Sequence, residues 1–121
     1  MNTQKVLIVS DTDNHPYWSA MTHEIEEKIG PVHIIKDKDI FRRKIDHLYE
    51  VIVVDVSDIE DLHRLISEIH QEQPKSRILI LFSSPTWKAA REVIRLGAAD
   101  VIRKSADLDE VFKAVRPLEF S

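Results

Sequence analysis

Short runs of branched apolar residues punctuate the chain at 6–9, 32–35, 51–54, 78–82 and 101–102. The first, third and fourth are continuous and do not alternate with polar residues, which is the signature of strands buried on both faces of a parallel sheet. The second carries His33 and the fifth is short, so these two read as edge strands. Between the runs the apolar period lengthens. Trp18, Met21, Ile25 and Ile29 recur every three or four residues before Gly30, as one face of a helix does. Leu62, Leu65, Ile66 and Ile69 repeat the spacing, as do Ala89, Ala90, Val93 and Ile94 before Gly97. A last stripe of Leu108, Val111, Phe112 and Val115 is ended by Pro117. The segment 39–48 is a weaker helix, with Phe41, Ile45 and Leu48 inward.

Strand and helix therefore alternate five times. This predicts an α/β fold: a three-layer (βα)5 sandwich whose parallel sheet, joined by right-handed crossovers, carries helices on both faces. At 121 residues the chain suits one domain, and it shows no internal repeat or linker.

Composition narrows the chemistry. Seventeen Lys and Arg against twenty-one Asp and Glu give a net charge of −4, with no basic cluster, so direct nucleic-acid binding is not expected. The absence of cysteine removes disulfides, thiolate metal sites and thiol catalysis. Two glycines, Gly30 and Gly97, are too few for a glycine-rich phosphate loop. The longest wholly apolar run has five residues, far short of the roughly 20 that span a bilayer. The N-terminal Met-Asn-Thr-Gln-Lys does not read as a signal peptide, so a cytoplasmic location is expected.

Open α/β sheets bind ligands beyond the carboxyl ends of their strands. Residues just after the runs are Ser10, Asp11 and Asp13, then Asp55 and Ser57, then Ser83, then Lys104. With strand order 2-1-3-4-5, Asp11 and Asp55 fall side by side at one sheet edge. Two such carboxylates repel unless a cation or a shared proton intervenes. All-oxygen donors favour Mg²⁺ over zinc. An ammonium from Lys104 and a hydroxyl from Ser83 would complete a site suited to a phosphoryl group. Each Asp taken singly is more often a structural turn or cap residue than a chemical one, and only their convergence points to chemistry.

Three stretches resemble the receiver domains of two-component response regulators. They are Lys-Val-Leu-Ile-Val-Ser-Asp ending at Asp11, Val-Ile-Val-Val-Asp ending at Asp55, and Ile-Arg-Leu-Gly-Ala-Ala-Asp-Val-Ile-Arg-Lys ending at Lys104. The 44 positions from Asp11 to Asp55 suit the same family. The resemblance implies a flavodoxin-like fold and a single receiver-like domain over 1–121. It further implies a phosphorelay switch in which Asp55 accepts a phosphoryl group from a histidine kinase, a phosphotransfer protein or a small phosphodonor. By the family pattern Asp11, Asp55 and the backbone carbonyl of Ser57 ligate Mg²⁺, and Lys104 and Ser83 bind the phosphoryl oxygens. Asp13 is a secondary acidic candidate. The domain would regulate rather than act as an enzyme, serving an output domain or partner protein.

The chain also departs from the pattern. Ser10 stands where a second acidic residue is usual, which should weaken Mg²⁺ binding. Aligned without a gap, Phe82 rather than Ser83 takes the hydroxyl position. Val101 replaces a common aromatic, and Ser105 replaces the proline that often follows the lysine. These features keep open a pseudo-receiver, a phosphorylation-independent interaction module. A flavin-type cofactor binder fits poorly, because the turn after the first run carries two carboxylates. A phosphatase-like hydrolase would need an Asp where Ser57 stands.

Trp87 lies out of phase with the apolar stripe beside it and can face outward. With Val101 it marks a candidate surface for a partner or homodimer, and the resemblance to receiver domains implies that this surface is the face formed by the neighbouring helix, the fifth strand and the last helix. His63 and His70 lie two turns apart on one helix, which reads as a solvated face rather than a ligand pair.

Overall fold

The computed structural model describes residues 5–10, 15–36, 39, 48–55, 59–82, 86–103 and 108–115. Five strands, β1 (Val6–Ser10), β2 (Val32–Lys36), β3 (Val51–Asp55), β4 (Arg77–Phe82) and β5 (Asp100–Arg103), form one parallel sheet in the order β2-β1-β3-β4-β5. Four helices are described: α1 (His15–Lys28), α2 (Ile59–Glu72), α3 (Trp87–Leu96) and α4 (Leu108–Val115). The fold class and the two edge strands are as the apolar pattern predicts, and the strand order is the one on which the expected pairing of Asp11 with Asp55 is conditional. The weaker helix expected over 39–48 falls almost wholly outside the described residues.

Side chains alternate across each strand, so the sheet sorts its own residues into two cores. Leu7, Val9, Ile52, Val54, Ile78 and Ile80 face one side, where Leu62, Leu65, Ile66 and Ile69 of α2 and Val93 of α3 cover them. Val6, Ile8, Val51, Val53, Leu79 and Leu81 face the other, under Trp18, Met21 and Ile25 of α1 and Val115 of α4. Every residue of β1 and β3 is buried, which is why those runs carry no polar alternation. Each fully buried aliphatic side chain contributes about 1.5–3 kcal/mol.

The ends of α3 follow from its sequence. Thr86 accepts a hydrogen bond from the Ala89 N–H at 3.1 Å through Oγ1, satisfying a first-turn donor. Gly97 closes the helix at φ +125°, with Gly97 N–H donating to the Ile94 carbonyl and Ala98 N–H to that of Val93. This paired closure needs a residue that tolerates positive φ, and glycine does so without strain.

Two inward expectations are corrected. Leu48 is 83% exposed, because its neighbour Tyr49 takes the buried position as the chain runs into β3. Ile94 is 50% exposed, and Leu96 packs on the core instead. The histidine pair keeps the solvent exposure expected of it, His70 being exposed and His63 partly so, and gains neighbours as well. His63 Nε2 lies 3.3 Å from Glu92 Oε2, and the His70 ring lies against Gly97, so both line the seam between α2 and α3.

Candidate functional site

β1 and β3 are adjacent at the point where the chain reverses its direction of winding, and their register pairs Ser10 with Asp55. Such a reversal opens a crevice at the carboxyl ends of the strands. Asp55 is the last residue of β3 and shares a face with Val51 and Val53. Its place there follows from the strand period of two.

Asp55 is only 2% exposed, and Ser10 beside it is buried as well. A carboxylate so enclosed needs donors to offset lost hydration. One comes from α1: Trp18 Nε1 donates to Asp55 Oδ2 at 3.0 Å, in a contact that is itself buried. Trp18 belongs to the Trp18, Met21, Ile25 stripe that covers the face Asp55 is on. Its ring therefore packs as core while its N–H reaches the polar edge of the sheet. A buried indole normally finds an acceptor. The sequence reading placed Trp18 in the core and missed its contact with Asp55.

Of the candidate phosphoryl-site, metal-site and surface residues, Asp55, Val101 and Trp87 are described. Val101, on β5, is half-buried and packs on the core under α2 and α3. Trp87 opens α3 and is 86% exposed, beside a groove of about 480 Å³ that Ala90, Arg91, Ile94 and Arg95 also line. Phe82 ends β4 and packs on the α2 and α3 side, the face opposite to Asp55. Asp11, Asp13, Ser57, Ser83 and Lys104 lie outside the described residues. Among the described residues, no three His, Asp or Glu side chains cluster closely enough to hold a metal ion. Likewise among these residues, no helix is long and apolar enough to cross a membrane.

No family model matches the sequence, and no curated protein matches it. Solved structures do match the fold. A response regulator from Burkholderia pseudomallei, whose structure has a phosphorylated aspartic acid, a calcium ion and citrate, superposes with a TM-score of 0.74 at 20% identity. That match covers 93% of this chain but only 66% of the other, so the chain spans about two thirds of that protein's length. The receiver domain of a Francisella response regulator gives 0.77 at 21% identity, covering 93% of each chain. A CheY-like receiver domain protein from Methanospirillum hungatei gives 0.77 at 14% identity, covering 94% of this chain and 91% of the other. With the strand order, the register of β1 on β3 and these superpositions together, the chain has the fold of the response regulator receiver domains.

Proposed function

We propose that residues 1–121 form a single receiver-like domain acting in the cytoplasm as a phosphorelay switch, with Asp55 as the phosphoacceptor. The observation that carries this reading is the position of Asp55: a buried carboxylate at the carboxyl end of a central strand, in register with Ser10 at the winding reversal.

In the transfer, a lone pair on an Asp55 carboxylate oxygen attacks phosphorus. The bond to the donor breaks, P–N for a phosphohistidine or P–O for an acyl phosphate, and the leaving group keeps the electron pair. The mixed anhydride so formed is hydrolysed to reset the switch. Enclosure of Asp55 limits its rotation and holds it for in-line attack. Lys104 would offset charge on the phosphoryl oxygens, and Ser83 would hydrogen-bond one of them.

The donor set suits a hard cation, because Asp55 offers carboxylate oxygen and the residue following Ser10 is a second aspartate. Asp11, Asp55 and the Ser57 carbonyl would hold Mg²⁺. When bound, Mg²⁺ would neutralise charge that develops on the transferring group. Phosphorylation would then alter the surface around Trp87 and Val101 that meets an output domain, a partner protein or a second copy of the chain.

Intact mass after incubation with acetyl phosphate and Mg²⁺ tests the reading. The expected result is one added phosphoryl group, lost in Asp55→Asn and in metal-free samples. The Asn variant keeps an oxygen acceptor for the Trp18 indole, so its fold should survive. No addition, in a folded sample beside a receiver that does react, would assign the chain to the phosphorylation-independent interaction modules instead.

A further inference from the structure

We propose that Trp18 senses the state of Asp55, so that α1 both restrains phosphorylation and registers it. The inference rests on the phosphoacceptor reading above. Its starting point is the buried 3.0 Å bond from Trp18 Nε1 to Asp55 Oδ2.

That bond depends on the charge of its acceptor. Hydrogen bonds to an ionised oxygen are roughly twice as strong as those between neutral groups. Transfer of a phosphoryl group to one carboxylate oxygen turns the other into the carbonyl of an acyl phosphate. The leaving group carries off the electron pair of the broken bond, and the two Asp55 carboxyl oxygens no longer share a negative charge. The indole N–H then faces a neutral carbonyl. Trp18 thus stabilises the unmodified carboxylate more than the acyl phosphate, and it holds the switch toward its resting state.

The same bond supplies a route outward. Trp18 sits 4% exposed in the core under α1, packed with Met21 and Ile25. A weakened N–H bond loosens the 3.0 Å tether that joins that helix stripe to Asp55. The helix would therefore respond to the acceptor directly, from the side of the sheet opposite the core on which Val101 packs.

Two measurements test the proposal. The first compares the wild-type chain with Trp18→Phe, which keeps an aromatic ring and removes the donor. Phosphorylated fraction is followed by intact mass over a range of acetyl phosphate concentrations in Mg²⁺. The expected result is that Trp18→Phe reaches half-phosphorylation at about five- to tenfold less donor. An unchanged or higher midpoint overturns the restraint.

The second needs no change at Trp18. Trp87→Phe leaves Trp18 as the sole tryptophan. Its emission should change when beryllofluoride is added to the Mg²⁺-loaded protein, and should not change in the same background with Asp55→Asn. Unaltered emission overturns the sensing role, including where Trp18→Phe fails to fold. Failure of the parent reading looks different: the wild-type chain gains no phosphoryl group at any donor concentration, and that result ends both proposals.

Discussion

The His70 ring occupies the space that a Cβ on Gly97 would need: a Cβ there would fall 2.7 Å from Cγ and 2.9 Å from Nδ1 of that ring. Gly97 also holds φ at +125°, where L side chains are strained. Gly97→Ala should cost about 1–3 kcal/mol, read as a lowered urea midpoint at unchanged slope. Adding His70→Ala should return only part of the loss, because it relieves the clash and leaves the backbone strain. Full recovery would show that the contact alone excludes a side chain there.

Gln73 should matter more than a polar residue at a helix end usually does. It is buried, and its Oε1 accepts from the Tyr49 N–H at 2.9 Å, with the Ser76 hydroxyl seated between Gln73 Oε1 and the Tyr49 carbonyl. Gln73→Leu strands the Tyr49 donor and should destabilise by about 1–3 kcal/mol in chemical denaturation. Gln73→Glu retains an acceptor and should cost less than the Leu variant.

Arg77 closes the far end of α4. Its Nη1 donates to the Ala114 carbonyl at 3.2 Å and its Nη2 to the Val115 carbonyl at 3.0 Å, both at the helix terminus where carbonyls lack partners. Burial pushes the guanidinium below its ordinary value, and Glu50 pulls it back up. The group stays charged through neutral pH, so no pH dependence of stability is expected from it there. Arg77→Lys keeps the charge but loses the two-pronged reach, and it should lose stability nearly as Arg77→Ala does, by about 1–2 kcal/mol. Thermal melts of the two variants against the parent would decide it.

Trp87 should be dispensable for folding. A side chain 86% exposed makes few packing contacts, and Trp87→Ala should change stability by no more than about 0.5 kcal/mol. A partner or dimer that uses this surface would lose affinity in the same variant with the fold intact. A large drop in the melting temperature would instead give Trp87 a structural role.

Much of the fold was legible because burial on both faces leaves a plain mark. Continuous Val and Ile in β1 and β3 marked the sheet centre, and His33 in β2 marked an edge. Asp55 was legible for the same reason, being the first polar residue after such a run. Trp18 was legible only in part. Helical period put it in the core, but period says nothing about where a ring nitrogen points. The signal that could have found the contact is parity: Asp55 falls on the face of Val51 and Val53, the face that α1 covers. Leu48 and Ile94 misled because an apolar residue in helical phase is assigned inward by default, whereas Tyr49 took the buried place beside Leu48 and the partly buried Leu96 packs on the core near Ile94. His63 and His70 gained their seam partners from the packing of α2 on α3, a long-range pairing that spacing along one helix cannot reveal.

The sheet centre also sets how Asp55 can be reached in time. All ten residues of β1 and β3 are buried, and nine of them are paired on both sides, Asp55 at the strand end being paired with Ser10 alone, so amides in the body of these strands are expected to exchange only when the whole domain opens. Edge strands β2 and β5 are paired on one side and half exposed, so they can breathe separately. Asp55 is thus mounted at the end of the most enclosed strand pair among the described residues. Local melting cannot prime it, and the kinetics of its chemistry would be set by what approaches the strand ends rather than by motion of the strand that carries it.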